Sequence, residues 1–181
     1  MSQESPVARQ LEAVLRQGER LVEGLEPELY LRSPAPLAVS SVGAHVRHVL
    51  DMACSFLRDL PERRIDYDRR DRAPEVELDK DEGARRLREV ARAIRDLDGT
   101  RSDEPLFVRC DVPEGVSSEA GWNRSTVGRE LTYVLSHAIH HYALIAMILA
   151  SYGHEVEEGF GVAPSTLAYW KEIGRCAPLV G

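Results

Sequence analysis

The run Leu131-Thr132-Tyr133-Val134-Leu135-Ser136-His137-Ala138-Ile139-His140-His141-Tyr142-Ala143-Leu144-Ile145-Ala146-Met147-Ile148-Leu149-Ala150-Ser151-Tyr152-Gly153 contains no Asp, Glu, Lys or Arg over 23 residues. A stretch of that length and composition suits a helix crossing a bilayer. It equally suits the central helix of a helical bundle, enclosed by its neighbours. Three histidines, Thr132, Ser136 and several tyrosines interrupt it, and no second such run exists in the chain. It therefore reads as a buried bundle helix with no membrane role. Ser125 or Thr126 opens this helix as N-cap, and Gly153 stops it after Tyr152.

Outward from this helix, apolar spacing marks three more. Val7, Leu11, Val14, Leu15, Leu21, Val22 and Leu25 recur at helical intervals, with Pro27 just beyond. Pro34 and Pro36 then mark an extended connection. A second helix opens after Ser40 or Ser41, carries Val42, Val46, Val49, Leu50, Ala53, Phe56, Leu57 and Leu60 on one face, and stops at Pro61. A third runs from about Asp79 to Asp98, burying Leu87, Val90, Ala91, Ile94 and Leu97, and ends at Gly99. Residues 61–78, dense in Arg and Asp, show no core pattern and predict a long exposed crossover. Leu106 to Val112 is short and β-prone, and Pro113-Glu114-Gly115 predicts a hairpin turn. A brief helix is expected from Ser165 to Ile173, capped by Ser165. The fold class is all-α: a four-helix bundle with a long crossover, a short β-hairpin before the last long helix and a small C-terminal helix. One domain spanning residues 1–181 is expected.

Composition narrows the function. Hydrophobic residues make up 43% of the 181 and charged residues 29%, which is globular rather than disordered. Acidic residues outnumber basic ones by 30 to 23, for a net charge of −7. That balance argues against a nucleic-acid partner, whose phosphates need a basic surface, and against a polybasic membrane contact. Cys54, Cys110 and Cys176 are odd in number and far apart, so they form no disulfide framework. With a polar N-terminus lacking a signal core, they predict a reducing, cytoplasmic location.

Five of the six histidines fall on two predicted helices: His45 and His48, then His137, His140 and His141. Positions i and i+4 differ by about 40° and one turn, so His137 and His141 can aim at one point. A third nitrogen has to come from another helix, and the second helix offers two. Three neutral imidazoles suit Zn²⁺, Ni²⁺ or Fe²⁺ and leave a coordination position open. The competing reading is a set of hydrogen-bonded core histidines. Against it stands the desolvation cost of three imidazoles in a helix otherwise rich in Ala, Ile, Leu and Met. Neither HExxH nor ExxH is present. Ala138 stands where a zincin needs its Glu, and no Glu precedes any histidine by three residues.

The segment Ser41-Val42-Gly43-Ala44-His45-Val46-Arg47-His48-Val49-Leu50-Asp51 resembles the second-helix motif of the DinB/YfiT-like superfamily. His137-Ala138-Ile139-His140-His141 resembles its later HxxxH motif. The resemblance covers most of the chain and implies a divalent metal ion, zinc first, with nickel, iron or manganese as alternatives. Matched residue by residue, it implies His48, His137 and His141 as the ligands. Tyr142-Ala143-Leu144 departs from the Arg-Gly-Gln with which many members continue. Helical periodicity by itself favours His45 over His48, because the apolar face centres near Val49, Ala53 and Leu60. The match favours His48, with Asp51 following at the usual spacing.

His45 and His140 then become candidates for supporting the ligands from behind, for facing substrate or for carrying protons, and Asp51 for orienting a ligated imidazole. Tyr133 and Tyr142 are candidate hydrogen-bond donors. The resemblance further implies a metal-dependent enzyme of the thiol-dependent S-transferase or isomerase class, with a low-molecular-weight thiol co-substrate and a small-molecule substrate. Hydrolysis by metal-bound water is the close variant. The alternative is a non-catalytic bundle that binds metal or a small molecule. A homodimer is the expected assembly.

Overall fold

The Thr126 side chain accepts a hydrogen bond from the Arg129 N–H at 3.3 Å and starts the central helix. The computed structural model describes residues 5–34, 40–97, 101–113, 115, 117 and 119–174. In chain order its helices are α1 (Pro6–Gly24), α2 (Pro27–Leu31), α3 (Val42–Asp59), α4 (Pro74–Leu78), α5 (Lys80–Arg95), α6 (Val127–Ala150) and α7 (Pro164–Glu172). A 3₁₀ turn, Leu60–Glu62, follows α3, so Pro61 ends that helix as the sequence predicts. The strands are β1 (Arg64–Asp66), β2 (Pro105–Arg109) and β3 (Asn123–Thr126).

Local chemistry accounts for the helix boundaries. Ser41 Oγ accepts from the Ala44 N–H at 3.1 Å and caps α3. Asp79 Oδ1 accepts from the N–H groups of Asp81 and Glu82 and caps α5, whose last turn carries Arg92 and Arg95. Proline occupies the first turn of α1, α2, α4 and α7, where its missing N–H costs nothing. At α7 the cap position is Ala163, so Ser165 lies inside the helix instead of capping it. Gly99, predicted to end α5, lies outside the described residues.

The four long helices pack as a ring: α1 lies along α5, α5 and α6 each touch α3, and α6 returns to α1. Leu11, Leu15, Val22, Val46, Ala53, Phe56, Leu87, Ile94, Val134, Ile145 and Leu149 fill its interior. α6 is long and apolar enough to cross a membrane, and here it buries one face against α1 and α3.

Two expectations need correction. The fold is mostly helical, not all-α, because β1, β2 and β3 form a three-stranded sheet in that order. β2 pairs antiparallel with β3, Phe107 opposite Arg124, and parallel with β1, Ile65 opposite Val108. The hairpin thus closes on 123–126, directly before α6, and Glu114 of its predicted turn lies outside the described residues. The crossover is also not a featureless exposed strap. It holds β1 and α4, and it buries Ile65, Tyr67 and Val76. Three apolar residues scattered among arginines and aspartates give no readable period, and the partner of β1 lies some forty residues away in the chain.

α4 is docked by Tyr30 of α2, whose hydroxyl donates to the Val76 carbonyl at 2.6 Å. Gly43 permits the same approach from α3. A methyl there would overlap the Glu77 carbonyl oxygen and come within 2.7 Å of the Tyr30 ring. The obstacle is largely backbone, so Gly43→Ala should cost about 1–3 kcal/mol net of its better helix propensity. For a chain of this size that is a fall in Tm of roughly 2–10 °C, measurable by calorimetry. Gly24→Ala, with open space around its Cβ, should be neutral or slightly stabilising.

Candidate metal centre

α3 and α6 pack against each other, and their histidines meet beside the seam. His48, His137 and His141 each present a ring nitrogen, and the three nitrogens lie within 4.8 Å of one another. Ring centroids are 4.9 Å apart for His48 and His137, and 4.6 Å for His141 with either of the others. All three are half-buried. The i, i+4 spacing on α6 thus brings its two imidazoles to one place, and α3 delivers the third across the seam.

His45 approaches the same group from its other side. Its Nδ1 lies 2.9 Å from Nδ1 of His141. One of these nitrogens donates and the other accepts, so His141 keeps Nε2 free of this contact. Both α3 histidines therefore face α6, His45 as periodicity favours and His48 as the motif match favours. His140 is exposed, with its ring 5.3 Å from that of His141. Asp51, by contrast, has Arg47 as its hydrogen-bond partner. Its Oδ2 accepts from Arg47 NH1 at 2.8 Å, and the same guanidinium donates through Nε to Glu77 of α4.

Burial dominates the electrostatics. Desolvation, with neighbouring imidazoles adding to it, holds His141 down to about 3. Desolvation, then His137, Arg70 and Arg47, holds His48 down to about 4. His45 and His137 are lowered for the same first reason. Neutral imidazoles are the form that ligates a metal. His137 Nε2 is buried and has no hydrogen-bond partner among the described residues, a cost that a bound ligand or ion would relieve. That unpartnered nitrogen and an all-imidazole donor set fit a divalent ion such as zinc.

Aromatic side chains stand behind His137. The Tyr133 ring lies 6.0 Å from it and 5.3 Å from the ring of Tyr67. The Tyr133 hydroxyl contacts Cys110 Sγ at 3.5 Å. Burial raises both the Cys54 and Cys110 thiols, which disfavours a thiolate nucleophile at either. Tyr142 is fully buried and stacks on Phe160 at 4.8 Å, and its hydroxyl abuts Gly18 of α1, away from the histidines.

The residue that sequence reasoning missed is Arg70. Its NH1 lies 3.2 Å from His48 Nδ1 and its Nε donates to the Tyr67 carbonyl at 3.0 Å. It belongs to the arginine-rich crossover, where nothing in the pattern separates one arginine from another.

The depressed histidines give a pH dependence with a definite sign. Unfolded chain binds protons on these imidazoles near 6.5, whereas the folded protein resists them to about 3–4. Stability of chelator-treated protein should therefore be flat above pH 7 and fall steadily as pH drops below 6.5. Thermal melts between pH 8 and pH 4.5 check this. His141→Gln should flatten the acid limb.

The DinB superfamily profile matches residues 10–145. A curated protein named FK506-binding protein 5, from Rhizopus delemar, is 35% identical over 108 residues, covering 60% of this chain and 28% of that protein. The chain thus spans little more than a quarter of that relative's length. No solved structure matches. The family match runs from α1 nearly to the end of α6 and includes every histidine of the cluster, and on it the chain belongs to the DinB superfamily.

Proposed function

We propose that His48, His137 and His141 hold one divalent metal ion, zinc before nickel, iron or manganese. On this reading the protein is a metal-dependent enzyme that activates a thiol or a water molecule. The carrying observation is the meeting of three half-buried imidazoles from two helices, each presenting a ring nitrogen within 4.8 Å of the others. We also read the ring of α1, α5, α3 and α6 as the four-helix bundle that holds this site open at one end.

A cation bound by three imidazoles lowers the pKa of a thiol or water in its open position and so supplies a nucleophile at neutral pH. The chain's own residues prepare for that. With its proton on Nδ1, donated to His45, His141 would offer its Nε2 lone pair to the ion, and His45 would then be the hydrogen-bond partner behind a ligating histidine. Tyr133 packs beside His137, and the buried Tyr67 ring backs Tyr133. No side chain in the cluster is a covalent nucleophile, so the reaction class is S-transfer or isomerisation with a small thiol, or hydrolysis. The second reading is non-catalytic binding. It draws support from Asp51, whose carboxylate is paired with Arg47 and so is not left as a base beside the histidines.

Elemental analysis of tag-free protein, purified without a nickel column, tests the site. About one equivalent of metal per chain is expected, lost in the triple His48/His137/His141→Ala variant. Metal-free protein that stays metal-free after reconstitution would overturn the proposal. His45→Ala should weaken metal binding by about 10–100-fold while leaving the stoichiometry unchanged, as read by competition with a chromophoric chelator.

A further inference from the structure

Arg70 and His48 share an interaction whose direction is forced. Guanidinium has N–H donors and no acceptor, so at 3.2 Å Arg70 NH1 donates and His48 Nδ1 supplies the lone pair. A neutral imidazole has only one such lone pair, its other nitrogen carrying the proton. Ligation of a cation by His48 needs that same lone pair. If the cation takes Nδ1, it displaces Arg70 directly. If it takes Nε2, the proton moves to Nδ1 and faces a second donor. Either way the contact between Arg70 and His48 is lost on metal binding.

The released guanidinium has a place to go. A cleft of about 360 Å³ opens beside His48, lined by Arg47, Asp51, Arg70, Arg72 and Glu77. Arg47 is committed to the two carboxylates, at 2.8 Å each. Asp51 and Glu77 therefore neutralise only two of the three guanidinium charges, leaving a local positive balance in a chain of net charge −7. Arg72 is exposed, stands at φ +42°, and has no hydrogen bond or ion pair among the described residues. Its influence on Asp51 is long-range. A non-glycine residue in that backbone region is held there at some cost in strain.

We propose that Arg70 and Arg72 bind an oxyanion of the substrate, a carboxylate or phosphate group, beside the metal centre, and that metal binding creates this pocket by freeing Arg70 from His48. The proposal rests on the metal site argued above. It makes the substrate an anion whose charged group lies in the cleft, and it makes binding ordered, metal before anion. By linkage, the anion must tighten metal binding by the same factor that metal tightens anion binding.

The test is calorimetric titration of inorganic phosphate, and in parallel acetate, into zinc-loaded and zinc-free protein. Wild type, Arg70→Gln, Arg72→Gln and, as a distant control, Arg101→Gln are compared, with zinc stoichiometry measured for each. Phosphate or acetate should bind zinc-loaded wild type about tenfold or more tighter than zinc-free protein. Arg70→Gln and Arg72→Gln should each lose about tenfold in the zinc-loaded form, the low end for a charge-assisted hydrogen bond. Arg101→Gln should match wild type. The tighter of the two probes names the group. Zinc bound in full with anion affinity untouched by either arginine would overturn this proposal alone and leave the metal site standing. Absence of zinc from wild type would overturn both, and stoichiometry tells the two failures apart.

Discussion

Each neutral imidazole has one lone pair to give, and the seam between α3 and α6 crowds four imidazoles into one half-buried group. Packing of the two helices sets the spacing, because the same faces bury Val46, Val49 and Ala53 on α3 and Val134, Ala138 and Ile145 on α6. Partial burial, with repulsion from neighbouring imidazoles and, at His48, from Arg70 and Arg47, holds His48 and His141 neutral well below their ordinary range. Who receives each lone pair then decides the chemistry. His45 and His141 face each other through their Nδ1 atoms, Arg70 receives that of His48, and Nε2 of His137 is left without a partner.

The crossover is what brings Arg70 to this group. β1 pairs with β2, and just past it the Tyr67 N–H donates to the Arg109 carbonyl at 2.9 Å. Tyr67 is buried against Tyr133, and Arg70 follows it three residues later. Beyond, α4 is fixed by Tyr30 and by the close approach at Gly43, and it delivers Glu77 to Arg47. The small sheet and the short helix therefore shape one wall of the cleft, while the long helices supply the histidines. A fold description confined to helices would omit that wall.

Much was readable from residues alone because it is local. Caps at Ser41 and Thr126, the stop at Pro61, and the 3.6-residue apolar rhythm all act within a few residues of chain. The pairing of His137 with His141 is likewise a property of one helix. Where signals were longer-ranged, the reading failed or stopped. β1 is three residues in an arginine-rich stretch, and its partner is far off in sequence. The face to which His45 turns depended on the rotation of α3 against α6, which a shallow difference in periodicity did not settle.

The amino-acid sequence by itself determined the long helices, their ends and the presence of five histidines on two of them, since these follow from short-range backbone and side-chain preferences. Only the tertiary structure decided that the two helices meet at their histidines, that His45 backs His141, and that an arginine from the crossover claims His48. Those outcomes depend on how separate elements pack, and packing is a property of the whole core rather than of any local run of residues.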